Sequence, residues 1–111
     1  MADIELKVID ELEFKSSEII KAHMLGELSK DGVSYVRYYA LITQEQPRES
    51  LLKYVTLLFP SQGPNQSQIN LHTPPLLKHT HLYRDEAVKE HDYIVGRELA
   101  NLAKHLSSQS L

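Results

Sequence analysis

The chain contains no cysteine, and this absence removes several classes of chemistry. Without cysteine there are no disulfides, no thiolate nucleophile and no cysteine-ligated zinc site. The glycines, at positions 26, 32, 63 and 96, are isolated from one another, so no glycine-rich loop is present to cradle the phosphates of a nucleotide. No serine stands in the Gly-x-Ser-x-Gly pattern of a hydrolase nucleophile. We therefore expect no catalytic residues and no cofactor.

Positive charge and long apolar runs are also scarce. The 12 Lys and Arg residues are outnumbered by 15 Asp and Glu, which gives a net charge of −3 and no surplus of cations for a phosphate backbone. The N-terminal stretch MADIELKVIDELEFK lacks the features of a secretory signal, and no stretch approaches the ~18 apolar residues that span a bilayer. We expect a cytoplasmic protein that binds neither nucleic acid nor membrane.

A single domain over residues 1–111 is predicted, because 41% hydrophobic residues in a chain of 111 suffice for one packed core. Alternation of apolar and polar residues predicts strands in most of this domain. The predicted strands lie within 3–14, 19–29, 33–43, 51–59 and 68–73, and a sixth within 77–83 is left open.

Three local features refine this prediction. The apolar residues of the first strand fall on even positions until the adjacent Ile9 and Asp10 break the pattern, which predicts a β-bulge. Asp31-Gly32 predicts a tight hairpin turn with positive φ angles, although residues 16–29 also show a helical spacing of apolar side chains. Residues 51–59 carry apolar side chains on both faces, which predicts a central strand covered on both sides.

The end of the chain predicts one long helix over about residues 85–107. With 100° per residue, one apolar stripe runs along it: Val88, Val95, Leu99, Leu102 and Leu106. Tyr93 and Ile94 lie on the opposite side, where they meet either a loop or another chain, and we favour another chain. The predicted fold is therefore α+β, a meandering antiparallel sheet of about five or six strands packed on one long C-terminal helix.

Tyrosine and arginine suggest where a partner binds. Tyr35, Arg37 and Tyr39 alternate on one face of a predicted strand, and these residue types are enriched at the centres of protein interfaces. The alternative is that the tyrosines only form cross-strand pairs that stabilise the sheet. Together with Tyr93 and Ile94, they predict a non-enzymatic protein-binding module of adaptor, chaperone or inhibitor/immunity type. We expect a protein partner, including a second copy of the chain in a homodimer.

The stretch KHTHLYRDEAVKEH, residues 78–91, supports a different function. His79 and His81 would project to the same face of a strand, and His91 of the following helix would join them. Three histidines with an open fourth position form a known catalytic zinc site. The alternative function is thus a metal-binding protein, catalytic or sensory, that holds a divalent transition metal such as zinc. The same spacing is also common for ordinary surface or half-buried histidines.

Overall fold

A computed structural model of the chain describes residues 5–29, 31–46, 51–96, 99 and 102–104. Its elements are β1 (Leu6–Glu11), β2 (Ile19–Leu28), β3 (Tyr35–Glu45), β4 (Tyr54–Ser61), a 3-10 turn (Gln66–Gln68), β5 (Leu77–His81) and α1 (Arg84–Gly96). Leu99 and residues 102–104 are also helical. The five strands lie in the sheet in chain order, each antiparallel to its neighbours. This confirms the predicted α+β fold with a meandering sheet and a C-terminal helix.

The sheet carries one hydrophobic cluster on each face. The cluster on the helix side joins residues of the sheet to the helical segment: Leu6, Leu25, Tyr39, Leu41, Leu58, Leu77, Ile94, Leu102 and Ala103. The cluster on the opposite face contains Ala22, Met24, Ala40, Ile42, Val55, Leu57, Phe59 and Ile69. Partly buried residues from β1 and the segment that follows it pack against this second cluster. Both faces of β4 are therefore covered, as its sequence predicts.

The predicted bulge in β1 is confirmed and has a consequence for packing. Pairing with β2 shifts between Val8 and Asp10, which leaves Ile9 as the extra residue. Because an inserted residue reverses the alternation of faces, Leu6 lies in the helix-side cluster whereas Leu12 packs against the opposite one. The even-numbered apolar residues of this segment therefore serve two cores.

Residues 19–28 form a strand, so the helical alternative for 16–29 is wrong. The connection to β3 is longer than the predicted tight turn, because it closes with a hydrogen bond from Ser29 N to Ser34 O (2.7 Å). Gly32 has a positive φ of 71°. Asp31 does not have the predicted positive φ, because no described non-glycine residue has one. Asp31 instead accepts hydrogen bonds from Val33 N (3.0 Å) and from the Ser29 hydroxyl, which lowers the pKa of its carboxyl group. The side chain of Asp31 thus stabilises the loop, a common use of aspartate in turns.

The strand predicted within 68–73 is wrong. Only Ile69 pairs there, in an isolated bridge with Ser61, and its side chain is buried. Leu71 is half exposed, and the prolines at 74 and 75 have no N–H to extend a ladder. The sixth strand that was left open is present as β5.

The buried face of α1 differs from the predicted stripe. Ala87, His91 and Ile94 are the buried residues of this helix, with Ile94 only 7% exposed. The placement of Ile94 on an outward face is therefore wrong, whereas Tyr93 is 52% exposed. The predicted stripe contains only apolar residues and therefore leaves out His91. Without His91, the predicted buried face points in a different direction around the helix from the observed one.

The second half of the predicted stripe agrees better with the structure. Leu102 belongs to the helix-side cluster, and Val95 and Leu99 pack against it. Val88 is half-buried, and Leu106 lies outside the described residues. Within the part of the chain that the structure describes, no helix is both long and apolar enough to cross a membrane.

Candidate functional site

The structure divides the predicted face of Tyr35, Arg37 and Tyr39. Tyr39 Oη and Arg37 Nε lie 3.4 Å and 3.9 Å from the same atom, Glu27 Oε2, whereas Tyr35 pairs with Leu28. Tyr39 is 6% exposed and lies in the helix-side cluster, whereas the ring of Tyr35 is 6.0 Å from the ring of Tyr38, which packs against the opposite cluster. The cause is a second shift in strand pairing, which leaves Val36 as an extra residue in β3. Such a bulge reverses which residues share a face. Tyr39 is therefore a core residue, while Tyr35 and Arg37 remain exposed.

The exposed end of the β2–β3 hairpin carries Val33, Tyr35 and Val36, with Asp31 before them and Arg37 after them in sequence, and we call this group the hairpin patch. Tyr35 pairs with Leu28 and Arg37 with Glu27, so the patch includes residues from both faces of the hairpin end. The three apolar residues are 81%, 37% and 58% exposed, and the side chain of Arg37 is 65% exposed. Asp31 is exposed as well. The hairpin patch therefore combines three exposed apolar residues with one anion and one cation.

Two contacts hold the hairpin patch in place. The ring of Tyr35 lies over Gly26 of β2, where a Cβ atom would come within 2.7 Å of the Cε1 atom of the ring. Glycine is thus required at this position for the ring to approach the backbone. Arg37 Nε lies 3.9 Å from Glu27 Oε2, which is too long for a charge-assisted hydrogen bond. Tyr35 is anchored, whereas the Arg37 guanidinium keeps hydrogen-bonding capacity.

A row of polar residues crosses the sheet beneath α1. Lys21 of β2 pairs with Thr43 of β3, Thr43 pairs with Thr56 of β4, and Thr56 pairs with His79 of β5. Directly opposite residues of antiparallel strands point to the same face. Both threonines are fully buried, at 0% exposure. We call this row, with the helix residues that contact it, the polar layer.

His91 is the centre of the polar layer. Its ring is fully buried, with Nδ1 2.8 Å from Thr43 Oγ1 and Nε2 2.8 Å from His23 Nδ1. Thr43 Oγ1 is in turn 2.8 Å from Thr56 Oγ1. A hydrogen-bonded chain of four side chains thus extends from β4 to β2 through the helix. Among the described residues, every buried side-chain nitrogen or oxygen has a hydrogen-bond partner.

Burial sets the charge of His91. Removal from water lowers the pKa of His91 to about 4, and the neighbouring His23 acts in the same direction. The ring is therefore neutral at neutral pH. A neutral imidazole has one donor and one acceptor nitrogen, so each of its two contacts is satisfied once the tautomers of the pair are matched.

The neighbours of His91 in the helix extend the polar layer to both sides. Glu90 Oε1 lies 2.9 Å from His79 Nδ1 and 3.1 Å from His81 Nε2, both on β5. Asp92 Oδ1 accepts a hydrogen bond of 2.6 Å from Lys21 Nζ on β2. Three consecutive helix residues thus hold three different strands.

The structure separates the three histidines of the predicted metal site. His79 and His81 both contact Glu90, whereas His91 contacts His23 and uses its second nitrogen for Thr43. In the described ranges, no group of three or more His, Asp or Glu side chains is arranged to hold a metal ion. The predicted cluster of His79, His81 and His91 is therefore not formed.

Sequence reasoning missed Thr43, Thr56 and His23 as partners of the helix. A signal for the threonines was present, because each is a single polar residue within an otherwise apolar run, ALIT in β3 and VTLLF in β4. A buried hydroxyl needs a hydrogen-bond partner, so such a threonine indicates a polar residue on the element above it. His23 carries no comparable signal in the sequence.

Comparison of the chain with protein-family models, with curated proteins and with solved structures finds no match. Function is therefore argued from the surfaces and the buried groups alone. The hairpin patch is open to a partner, whereas the polar layer has its central residues buried.

Proposed function

We propose that the chain is a non-enzymatic, cytoplasmic protein-binding module that acts as a homodimer through the hairpin patch. The observation that carries the proposal is the exposure of Val33, Tyr35 and Val36, at 81%, 37% and 58%, within four positions of one hairpin. Single exposed apolar residues are ordinary, but three of them at one hairpin end favour a contact surface. The anchored tyrosine and the exposed guanidinium add the residue types that interface centres favour.

The charges at the ends of the hairpin patch support a second copy of the chain as the partner. A two-fold symmetric interface brings the same surface of both copies together, so it must be complementary to itself. With Asp31 before the apolar residues and Arg37 after them, an antiparallel arrangement places the anion of each copy beside the cation of the other. The long 3.9 Å contact of Arg37 with Glu27 leaves the guanidinium able to form this ion pair.

The polar layer supports a non-enzymatic role. Thr43, Thr56 and His91 are fully buried and bond to one another, so a substrate does not reach them without movement of α1. A general base must lie within hydrogen-bond reach of a substrate proton. His91, whose pKa is lowered to about 4, is therefore better explained as part of the packing between helix and sheet.

The first test measures mass by analytical ultracentrifugation over a concentration series. We expect the chain to sediment at twice its 12.7 kDa at concentrations above about 10 μM, with a dissociation constant in the micromolar range. Val36→Lys places two like charges across the two-fold axis and should weaken the dimer at least ~10-fold. Leu71→Lys is the matched control, because Leu71 is similarly exposed, at 49%, but lies outside the hairpin patch.

A charge swap tests the arrangement of the two copies. Asp31→Arg and Arg37→Asp should each weaken the dimer, and the double variant should restore it because the ion pairs are re-formed with the signs exchanged. A 12.7 kDa particle at all concentrations would remove the homodimer. Equal weakening by Leu71→Lys, or a double variant no better than the single ones, would place the contact elsewhere.

A further inference from the structure

A second exposed surface lies at the other end of the sheet, where β5 turns into α1. We call it the joint groove. It encloses about 320 Å³ and is lined by Lys53, Tyr54, Leu82, Tyr83 and Arg84. Leu82 and Tyr83 are 46% and 64% exposed, and neither belongs to a hydrophobic cluster of the fold.

The two residues that connect β5 to α1 break local rules of sequence. Connections of this length normally use Gly, Pro, Asn, Asp or Ser, because these residues fit the turn or bond to its backbone. Tyr83 directly precedes the helix, and its carbonyl accepts a hydrogen bond from Ala87 N (3.3 Å), which is the position where Ser, Thr, Asp or Asn caps a helix. Leu82 and Tyr83 give no cap and add nothing to either cluster. Residues that break a local sequence rule without stabilising the fold are expected at functional sites.

The charges of the joint groove have one sign. Among the described residues, the charged side chains that line it are Lys53 and Arg84. Neither cation has an ion pair within the described residues. Arg84 is moreover the first residue of α1, where the helix dipole disfavours a cation. Arg84 also lines a neighbouring groove, and that groove contains Asp85, the nearest acid in sequence.

We propose that the joint groove binds an acidic segment of another protein, in which a carboxylate stands beside an apolar side chain. The Arg84 guanidinium matches a carboxylate with two parallel hydrogen bonds, and Lys53 adds a second positive charge. Leu82 and Tyr83 supply the apolar surface for the neighbouring side chain of the segment. The chain as a whole carries a charge of −3, so this groove is an exception to the charge of the protein and selects for acidic partners.

This inference rests on the proposed function only in treating the chain as a protein-binding module. The groove begins at Tyr54, which pairs with Glu45 at the far end of β3, whereas the hairpin patch lies at its Tyr35 end. The two ends of β3, an 11-residue strand, are ten residue steps apart, which corresponds to about 33 Å at 3.3 Å per step. Self-association and binding of an acidic segment therefore use different residues and are measured separately.

The test uses the full chain and fluorescein-labelled peptides of defined composition. One peptide alternates Leu with Glu, a second alternates Leu with Lys, and both carry amidated C-termini and the same label, so that they differ only in the charge of their side chains. We expect saturable binding of the acidic peptide by fluorescence anisotropy, weakening as salt is raised. Arg84→Gln should weaken this binding about 10-fold or more, and Tyr83→Ser should also weaken it. Lys78→Gln is the matched control, because Lys78 is an exposed cation outside the groove.

Each result decides the question. Binding of the acidic peptide that is lost in Arg84→Gln and kept in Lys78→Gln supports the joint groove as the site. The inference is overturned if the acidic peptide does not saturate the protein at about 1 mM, if the Leu/Lys peptide binds equally well, or if Lys78→Gln has the effect of Arg84→Gln. Thermal unfolding of each variant checks the fold. If the chain is a dimer but does not bind the acidic peptide, only this inference is overturned. If it is a monomer that binds the acidic peptide, only the proposed homodimer is overturned.

Discussion

Acidification should remove part of the folding free energy through His91. In the unfolded chain this histidine takes up a proton as the pH falls through its ordinary pKa of 6.5, whereas in the folded chain burial holds its pKa at about 4. Between these two values the unfolded state binds more protons, so the stability of the folded state falls with falling pH. The contribution is fully present above pH 6.5 and fully lost below about pH 4.

The magnitude follows from the two pKa values. Each pKa unit corresponds to ~1.4 kcal/mol, so a fall from 6.5 to about 4 corresponds to about 3 kcal/mol. A domain of this size has a total stability of roughly 5–15 kcal/mol, so the loss is a large share.

Urea unfolding at several pH values between 6.5 and about 4 measures this loss. The informative variant is His91→Gln, because glutamine offers one donor and one acceptor, as neutral histidine does, and does not titrate. We expect the variant to be less stable at neutral pH but to lose about 3 kcal/mol less than the natural chain over this range. His72→Gln, at an exposed position, is the control.

Parallel stability curves for the natural chain and His91→Gln would refute the reasoning. They would mean that His91 is protonated in the folded state at the same pH as in the unfolded state, and hence that its ring is hydrated. The same loss in His72→Gln and in the natural chain is required by the argument. A loss abolished by His72→Gln would assign the pH dependence to the wrong histidine.

Two further substitutions, Gly26→Ala and Thr43→Val, each with a control substitution, test the packing of the sheet by urea unfolding. Gly26→Ala should cost about 1–3 kcal/mol because its methyl group would overlap a tyrosine ring, whereas Gly96→Ala, which meets nothing within 4 Å, should raise stability by about 0.5 kcal/mol. An equal effect of both substitutions would contradict the close contact. Thr43→Val keeps the shape of the side chain but leaves His91 Nδ1 without its partner, and it should cost about 1–3 kcal/mol. Thr80→Val on the exposed side of β5 should change stability by less than about 0.5 kcal/mol, and a similar loss at both positions would remove the role given to the Thr43 hydroxyl.

The sequence predicted the order of the elements because strand alternation and turn residues are local signals. The bulge at Ile9 was visible for this reason, since two adjacent residues interrupted a regular alternation. The bulge at Val36 was not visible in the sequence. YVRYYALI contains apolar or aromatic residues at almost every position, so it has no regular alternation that a bulge could interrupt. Tyr39 was therefore assigned to the wrong surface although its strand was predicted correctly.

The candidate sites depended on contacts between elements, which a single sequence does not encode locally. The His-x-His spacing of His79 and His81 correctly placed two imidazoles on one face of a strand. Their partner, however, is the carboxylate of Glu90, and the third histidine turns to a strand more than sixty residues earlier in the chain. Spacing along the chain says which side chains can meet within one element, but the rotation of the helix decides which of them do meet.

That rotation is set by the polar layer more than by the leucines. Apolar contacts are non-directional, so a helix with an apolar stripe can pack on an apolar sheet face in several rotations of similar energy. Hydrogen bonds are directional, and Glu90, His91 and Asp92 each find a partner on a different strand in only one placement of α1. A turn or slide of the helix would leave the buried hydroxyl of Thr43 without the His91 nitrogen, at a cost of about 1–3 kcal/mol. We infer that the leucines hold the helix on the sheet, while the polar layer decides which side of the helix is inside and thus leaves Tyr93 outside.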